Sequence, residues 1–536
     1  MAKESTADPA RKREMMSEAH NVGGSPGRYL AFNTLGCIVV IVLSVIGLLT
    51  LGHGEEHGAE PPAPAPTATD PASSAPAPPP TAEPTGAVET AAADVVLPNL
   101  WQLGTIPFVL MLLSIAVLPL IPATEHWWHI NRHKLFIGLI LAALTLLYYV
   151  ICVGPTAALV AIEHAIPGEY VPFMVLLFSL YVISGGINIS GDLKATPMTN
   201  TTFLAIGTLI ASFVGTTGAS MLLIRPVLQT NAERKWRVHT VIFFIFLVSN
   251  VGGSLLPIGD PPLFLGYLKG VPFLWTFNLF LEWLILSVIL LVVYFIWDTI
   301  VYRREELRDL AHDDRERTPL RLTGWINFPL LVCVVLCVAL LDPSKPIPGT
   351  DYHPFMFLRE LLMLGLAGLS LLLTRADIRS ANRFNYFAII EVAVIFIGIF
   401  ITMQVPLEVL KLKGAELGLT EPWHYFWATG ILSSFLDNAP TYLVFFQTAE
   451  SLTQEPGAGV MTLMGGEFIR HDLLVAISLG AVFMGANTYI GNGPNFMVKA
   501  IAEQEGVKMP SFFGYMAYSG LILIPIFVLV TLIFLI

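Results

Sequence analysis

The sequence predicts an all-α polytopic membrane protein with two inverted repeats, each of five spans and one re-entrant hairpin, preceded by an N-terminal anchor. Composition is the first support, because 54% of the 536 residues are hydrophobic and 13% are charged, with a mean hydropathy of +0.69. Soluble domains are about 25% charged. The other two supports are a set of interrupted apolar segments and the distribution of basic residues among the loops.

The first hundred residues are predicted to be a tail, an anchor and a linker. Residues 1–28 form a polar cytoplasmic tail with three consecutive basic residues at 11–13, and residues 29–52 are mostly apolar. This apolar run exceeds the ~7–15 residues of a signal-peptide core, so it favours an uncleaved transmembrane anchor over a cleaved signal. Residues 53–100 are rich in Pro and Ala and are predicted to be a disordered extracytoplasmic linker.

Each repeat is predicted to contain three spans, a hairpin that enters and returns, a broken helix and a final span. Apolar runs place those of repeat 1 (101–302) at about 104–122, 135–153, 170–187, 200–224, 240–268 and 274–301. Those of repeat 2 (323–536) fall at about 323–341, 355–374, 386–403, 423–446, 472–498 and 513–536. Residues 303–322 form a basic cytoplasmic loop between the repeats.

The charge of the loops predicts how the chain is oriented. The loops at 225–239, 303–321 and 375–385 carry four, six and three Lys or Arg residues, whereas those at 154–169, 343–354 and 404–422 carry none, one and two. Basic loops are cytoplasmic, and the alternation closes only if both hairpins return to the face that they left. One repeat then starts outside and the other inside, which is an inverted repeat.

Four apolar segments are interrupted by Gly, Pro and polar residues. They form two pairs: SFVGTTGAS (212–220) with SNVGGSLLPIGDPP (249–262), and SFLDNAP (434–440) with ANTYIGNGPN (486–495). In lipid, an unpaired backbone amide or carbonyl is so costly that irregular chain survives at membrane depth only where it lines a site or cavity. Interrupted helices at matching places in two halves therefore indicate the ion or substrate site of a transporter.

A constant spacing of identical residues supports the repeat. The interval that separates Ser212-Phe213 from Ser434-Phe435 also separates Glu169 from Glu391. Three later residues, Gly259, Pro262 and Phe264, match Gly491, Pro494 and Phe496 at a second, slightly longer interval that is the same for all three.

These motifs resemble those of the ion transporter superfamily, which includes sodium/proton antiporters, citrate-type permeases, arsenite permeases and divalent-anion/sodium symporters. SNVGGSLLPIGDPP resembles a motif of the antiporter and arsenite-permease branch, LDNAP (436–440) is similar to its hairpin tip, and EVAVIFIGIF (391–400) is similar to its acid-led span. GTTGASMLLIRP (215–226) and GDPPLFLGYLKGVPF (259–273) look closest to a subgroup of sodium/proton antiporters or citrate carriers. The resemblance covers about residues 104–536.

The resemblance implies an elevator-type carrier that binds its ions at hairpin tips and broken helices, and that forms a homodimer. The dicarboxylate symporters of the superfamily use a Ser-Asn-Thr signature in both repeats. Here only Ser249-Asn250 and Asn487-Thr488 match that signature, which argues against a dicarboxylate substrate.

Two acids within the interrupted segments, Asp260 and Asp437, are the leading candidates for a cation site. A carboxylate at membrane depth needs a cation, a proton or a hydrogen-bond donor. Sodium is a hard cation that takes oxygen ligands, and the same segments supply further ones: Asn438, Thr216, Thr217, Ser220, Ser249, Asn250, Asn487, Thr488, Asn492 and Asn495. Each polar residue has the alternative role of capping a half-helix, and Asp260, which precedes two prolines, fits an N-cap well.

For other charged residues, both a functional and a purely structural interpretation are open. Glu391, near the start of a span, is either a proton relay or an interfacial carboxylate. Arg225 and Lys499 either pair with acids or anchor at the headgroups. The histidines of EHWWHINRH (125–133) either sense pH or belong to an interfacial turn.

The preferred functional hypothesis is a sodium/proton antiporter driven by an ion gradient. Citrate normally requires fixed Arg or Lys near its carboxylates, and the four interrupted segments contain none. The alternative is a sodium- or proton-coupled carrier of citrate or another organic anion, held by the positive ends of half-helices. A third hypothesis, from a different functional class, is an ion channel. We expect no cofactor and no resident metal. The only ions expected are the transported Na⁺ and H⁺.

Enzymatic and nucleic-acid functions are not predicted. HGEEH (53–57) matches the H-x-x-E-H metalloprotease pattern, but it falls between an anchor and a linker, where the helix this pattern requires is not expected. The sequence has no Walker motif and no basic stripe, and its four cysteines lie in or beside apolar runs without a CxxC pair. We expect a multi-pass protein of the bacterial inner membrane.

Overall fold

The structure is a computed structural model that describes residues 100–306, 318–343, 346–347, 350–453 and 455–536. Residues Pro98–Ile536 form one unit. The predicted tail, the predicted anchor and the predicted linker up to residue 99 lie outside the described residues, as does HGEEH.

Helices make up about 74% of the described residues. The first predicted repeat contains α1 (Trp101–Val117), α2 (Pro122–Trp128), α3 (Asn131–Cys152), α4 (Pro155–Glu163), α5 (Val171–Ser184), α6 (Pro197–Val214), α7 (Thr216–Thr230), α8 (Val238–Leu247), α9 (Pro261–Leu268) and α10 (Phe280–Tyr302). A π-helix spans His164–Tyr170, and 3₁₀-helices span Leu118–Leu120, Val251–Ser254 and Phe273–Leu279.

The second predicted repeat is similarly helical. It contains α11 (Asn327–Leu340), α12 (Leu358–Leu373), α13 (Ala376–Ala381), α14 (Phe387–Thr402), α15 (Gln404–Lys413), α16 (Pro422–Phe435), α17 (Asn438–Ser451), α18 (His471–Met484), α19 (Gly493–Gln504) and α20 (Phe512–Phe534). Its 3₁₀-helices span Gly414–Leu417 and Gly485–Asn487.

Five stretches of helix are long and apolar enough to cross a membrane: Asn131–Cys152, Pro155–Ser184, Pro197–Val214, Phe273–Tyr302 and Phe512–Phe534. A sixth is obtained if α14 and its continuation to Leu417, bent by 44°, count as one span. At 1.5 Å per residue, the 23 residues of α10 reach about 35 Å, more than the ~30 Å hydrocarbon core. The chain is therefore an all-α protein with several candidate membrane spans.

Two segments expected to be loops are largely helical. Residues 154–169 form α4 and most of the π-helix, so that helix continues from Pro155 to Ser184. The break before it occurs at Gly154, whose φ of +132° suits glycine, followed by a proline at the first helical position. Residues 404–413 form α15. The hydrophobic pattern missed both because these helices carry charges and prolines.

Two short antiparallel strand pairs were not predicted either. Strand β1 (Asn188–Asp192) pairs with β2 (Thr318–Thr323), and β3 (Val460–Thr462) pairs with β4 (Phe468–Arg470). The first pair joins the chain before α6 to the chain before α11. Such short pairs lack the long apolar alternation by which a strand is recognised in sequence.

The helices pack as two groups. The site bundle consists of α6–α9 and α16–α19, in which α16 packs on α18, α9 on α17, and α7 on α19. The frame consists of α1, α3, α5, α11, α12, α14 and α15, in which α3 packs on α14, α5 on α12 and α15 on α1. The groups meet mainly where α5 contacts α7 and where α15 contacts α17.

The centre of the site bundle is formed by α8 and α18. Residues 239–247 of α8 and 473–484 of α18 are buried throughout. Helices that are apolar on every side belong in a protein interior. Both end where the chain becomes irregular, so their broken ends lie inside the bundle.

Candidate functional site

The first hairpin turns at Gly215, between α6 and α7. This residue has φ +78°, a left-handed conformation that glycine adopts without strain. The amide of Thr216 donates to the carbonyl of Gly259 at 2.8 Å. The tip of the first hairpin therefore contacts the break between α8 and α9.

The break itself depends on close contacts of the backbone. A Cβ atom at Gly259 would collide with the carbonyl oxygen of Gly253. The hydroxyl of Ser212, on α6, donates to the carbonyl of Gly252 at 2.5 Å and accepts from the amide of Leu255 at 3.1 Å. Backbone groups freed by the break are thus satisfied by the hairpin, as lipid requires.

The second half makes similar contacts at the corresponding positions. A Cβ at Gly491, the repeat counterpart of Gly259, would lie 2.6 Å from the carbonyl oxygen of Gly485. The hydroxyl of Ser434, the repeat counterpart of Ser212, donates to the carbonyl of Met484 at 3.1 Å. Both broken helices are therefore fastened by a serine of the hairpin beside them.

The carboxylate of Asp260 lies where the two halves meet. It accepts a hydrogen bond from Thr216 Oγ1 at 2.9 Å, from Asn438 Nδ2 at 2.6 Å and from Asn492 Nδ2 at 3.2 Å. Thr216 and Asn438 are separated by the same interval as Ser212 and Ser434, and Asp260 and Asn492 by the same interval as Gly259 and Gly491. Asp260 is 1% exposed, and its side chain makes no capping bond to α9.

A polar network extends from Asp260 through asparagines. Asn492 Nδ2 also lies 3.2 Å from Asn250 Oδ1, and Asn250 Nδ2 donates to Asn495 Oδ1 at 2.7 Å. Asn495 donates in turn to the carbonyls of Gly485 and Thr488. These three asparagines are buried, so their side chains position the irregular segments against each other.

Ser220 and Ser249 form a separate pair, with their hydroxyl oxygens 2.8 Å apart. Asn487 Nδ2 donates to Ser434 Oγ at 2.9 Å, and Thr488 Oγ1 donates to the carbonyl of Ser434 at 2.5 Å. In the sequence, Ser434 served only as a marker of the repeat, whereas in the structure it joins the second hairpin to the second break. Its recurrence with Ser212 was the signal that could have identified both serines.

Among the described residues, the charge of Asp260 has no basic partner. Within the part of the chain that the structure describes, no Lys, Arg or His forms an ion pair with this carboxylate, and the other acid nearby, Asp437, is close enough to repel it. The N-termini of α7, α9, α17 and α19 converge here and contribute partial positive charge. Neutral donors and helix ends supply no full positive charge to balance this carboxylate, whereas a bound proton or cation would.

Two buried oxygen atoms of the site have no hydrogen-bond partner in the described residues: Asn438 Oδ1 and Asn487 Oδ1. Asn438 is 0% exposed, and its amide nitrogen is held by Asp260. Buried amide oxygens are nearly always satisfied, and a hard cation is one group that would satisfy them. Each oxygen lies beside one of the two irregular segments.

The two candidate acids make different contacts in the structure. The side chain of Asp437 accepts from the amide of Ala439 at 3.1 Å, so it is the N-cap of α17, and it is only half-buried. Asp260, for which the sequence offered a capping role, instead faces the polar network. Thr217 is half-buried and takes no part in the bonds described above.

Glu391 lies apart from this network. It forms an ion pair with Lys134 of α3, which is 1% exposed, while Glu391 itself is 33% exposed. Among the histidines, His133 stacks on Trp127, and His129 lies 6.1 Å from Phe496 between ring centroids. Lys499 pairs with Glu503 at 3.2 Å. A proton relay at Glu391 and pH sensing by the histidines remain predictions.

A cavity of about 650 Å³ opens beyond the other end of the second hairpin. Its lining includes Lys269 at the end of α9, Arg359 of α12 and Gln447 of α17. Gln447 is nine residues beyond Asn438, or about 13 Å along the helix. Lys269 forms an ion pair with Glu169 of the π-helix at 2.6 Å, which joins the site bundle to that segment.

A family model described as "Putative citrate transport" matches residues 97–535. The chain belongs to this family. The match includes every helix from α1 to α20, and with the apolar helices it indicates a multi-pass membrane transporter. No curated protein matches the chain. A transporter of this family is expected to carry a small organic anion and to contact lipid.

Proposed function

We propose that the protein is a secondary active transporter that exchanges sodium ions for protons at Asp260. The observation that carries this proposal is a buried carboxylate that accepts hydrogen bonds from three neutral side chains and has no basic partner among the described residues. Such a group is stable when a proton or a cation neutralises it. Alternate binding of the two provides the coupling of an antiporter.

The ligands of sodium would be oxygen atoms already at the site. Asp260 supplies a carboxylate oxygen, and Asn438, whose amide nitrogen donates to Asp260, supplies an Oδ1 atom without a partner in the described residues. Asn487 Oδ1 is a second such oxygen, beside the other break and Ser434, and would serve an ion bound there. Asp437, at the hairpin tip, adds a nearby negative charge. The exchanged charge belongs at Asp260 rather than at Asp437, because Asp437 is engaged as a helix cap.

We also propose an inverted repeat and an elevator motion of the site bundle against the frame. The matching bonds of Ser212 and Ser434, and the matching positions of Thr216 and Asn438 around Asp260, support the repeat. The division of the helices into two packed groups supports the motion.

Cross-linking tests the elevator motion. Cysteines would replace Lys269 and Glu169, whose charged atoms lie 2.6 Å apart, in a chain without its native cysteines. A short, cleavable cross-linker is expected to stop transport until it is cleaved. The control is a cross-link between the paired strands at Val460 and Arg470, which stays within one loop. Undiminished transport in the first cross-linked protein would exclude the elevator motion.

The exchange is tested with purified protein in liposomes that contain a pH dye. Pulses of sodium or lithium are expected to drive proton movement in the wild type, none in Asp260→Asn, and slower movement in Asp437→Asn. The control is Asp377→Asn, which changes an exposed acid. Exchange at the wild-type rate in Asp260→Asn would refute the assignment. Sodium flux that needs no counter-ion would indicate a channel.

A second candidate is a sodium- or proton-coupled carrier of citrate or another organic anion, which the family membership favours. The N-termini of four half-helices at the site would then attract a substrate carboxylate, and Asp260 would bind the coupling ion. Uptake of radiolabelled citrate into the same liposomes distinguishes the two. Citrate uptake that requires Asp260, without sodium-driven proton movement in the absence of citrate, would favour the carrier.

We further propose that the protein is a homodimer in a bacterial inner membrane, because an elevator needs a frame that stays fixed in the bilayer. Light scattering of the purified protein would give a mass close to that of two 58.6 kDa chains. The mass of one chain would exclude the dimer.

A further inference from the structure

A second polar cluster lies along α7, away from the Asp260 network. Its central residue is Arg225, nine residues beyond Thr216 and therefore about 13 Å along the helix. The neighbouring charged groups are Arg383, which follows α13, and Glu505, which ends α19. These residues lie beside the loops that carry most Lys and Arg.

The Nε atom of the Arg225 guanidinium is buried, and it donates to no acceptor within the residues that the structure describes. Arginine is always charged and presents five donors in a planar fork. A half-buried guanidinium whose Nε–H lacks an acceptor is therefore ready to bind an oxyanion.

The single acid of the cluster is already shared. Glu505 forms an ion pair with Arg383, with Nη1 and Oε1 3.1 Å apart, and its backbone carbonyl accepts from Arg237 at 3.3 Å. The hydroxyl of Tyr181, another neighbour of Arg225, donates to the carbonyl of Asn385 at 2.7 Å. Three arginines thus surround one acidic residue, which leaves an excess of positive charge.

The backbone holds Arg383 at this place in an unusual conformation. Arg383 has φ +49°, one of three positive values among the non-glycine residues described. Its amide donates to the carbonyl of Ser380 at 3.0 Å, which fixes the turn after α13. Non-glycine residues in this conformation cost free energy and cluster at active sites and ligand sites.

The cluster also joins the two packed groups of helices. Arg225 and Glu505 belong to the site bundle, on α7 and at the end of α19. Tyr181 lies on α5 of the frame, and Arg383 lies in the turn that precedes α14. An anion held between Arg225 and Arg383 would therefore contact both the bundle and the frame.

We propose that Arg225 and Arg383 bind a carboxylate of a small polyvalent organic anion. For the identity of the anion, the inference rests on the organic-anion function proposed above as the second candidate. The interrupted segments lack Arg and Lys, and these two residues supply the fixed positive charges that a tricarboxylate requires. The anion would first leave the half-helix N-termini around Asp260. It would then bind between Arg225 and Arg383, on the basic face of the protein.

The test is equilibrium binding of radiolabelled citrate to the purified full-length protein without sodium. Arg225→Gln is expected to raise the Kd at least tenfold, and Arg225→Lys by less, because lysine keeps the charge but loses the planar fork. The control is Arg375→Gln, which removes an exposed arginine paired with Asp377 and is expected to leave the Kd unchanged.

Three results would overturn the proposal: no citrate binding to the wild type, unchanged affinity in Arg225→Gln, or equal competition by phosphate, sulfate and phosphatidylglycerol headgroups. If Arg225→Gln does not give a monodisperse protein, Arg383→Gln is measured in its place. The same loss of citrate affinity is expected for that variant. Failure of the organic-anion carrier proposal is distinguishable, since it would appear as absent citrate uptake into liposomes by a wild type that still binds citrate.

Discussion

Asp298 lies near the end of α10, where its carboxylate holds together the ends of the first hairpin and of α8. It accepts from Arg234 at 2.6 and 3.1 Å and from Asn200 at 3.2 Å, and it lies 2.8 Å from His239 Nε2. Arg234 and Asp298 are 1% and 0% exposed. Replacing Asp298 with Ala would leave a buried arginine without its main partner.

The loss of stability expected in Asp298→Ala follows from the burial of the Arg234–Asp298 pair. Removing one partner of a buried ion pair costs about 3–5 kcal/mol, because the remaining charge is uncompensated. Arg234 would keep a weaker contact with Glu305, 3.5 Å from its Nε, so we expect the lower end, about 3 kcal/mol. That corresponds to more than a hundredfold change in the unfolding equilibrium.

The matched control is Asp472→Ala, which removes an Arg–Asp pair of similar geometry at the surface. Arg470 and Asp472 lie 2.5 Å apart but are 37% and 47% exposed, and such pairs contribute less than about 1 kcal/mol. Unfolding by sodium dodecyl sulfate in mixed micelles would measure both losses. Equal losses would refute the argument from burial. The double variant Arg234→Met, Asp298→Leu is expected to recover much of the stability.

Two further predictions concern the contacts that shape the site. In Gly491→Ala, the added Cβ would lie within 2.7 Å of two carbonyl oxygens, so we expect the free energy of unfolding to fall by about 1–3 kcal/mol and transport to be lost. The control is Gly493→Ala, whose added Cβ meets no atom within 4 Å. It should match the wild type in thermal unfolding and in flux. Ser434→Ala leaves the amide of Asn487 without its acceptor, so unfolding free energy should fall by about 1–3 kcal/mol. Ser114→Ala removes only a bond to the carbonyl of Leu110 within α1, so it should cost less than about 0.5 kcal/mol. An equal cost for the two serines would contradict the assigned role of Ser434.

The sequence predicted the helices well where hydrophobicity alone decides their length. Helices α3, α10 and α20 are long apolar runs, and the breaks after α8 and α18 fall at the predicted Gly, Pro and Asn residues. Residues 154–169 were mistaken for a loop, because the hydrophobic pattern does not distinguish a charged helix from a loop. The inverted repeat stays a prediction with supporting contacts.

Several residues that the sequence singled out as candidate ligands lie close together in the structure. Thr216, Asn438 and Asn492 are among the expected ligands, and they lie together around Asp260. Which acid caps a helix and which faces the network was not decided by sequence. Asp260 and Asp437 both precede a half-helix, so their local patterns are alike, and the direction of each side chain depends on the surrounding fold.

The sequence by itself determined that the protein is a helical membrane protein with two pairs of interrupted helices, because span length and helix breaks are set by local composition. Only the tertiary structure decided that Asp260 meets Asn438, 178 residues later, and that Lys134 pairs with Glu391, 257 residues later. Contacts over such distances arise from the packing of whole helices. No local pattern encodes them, since each partner is compatible with many neighbours until the bundle and the frame assemble.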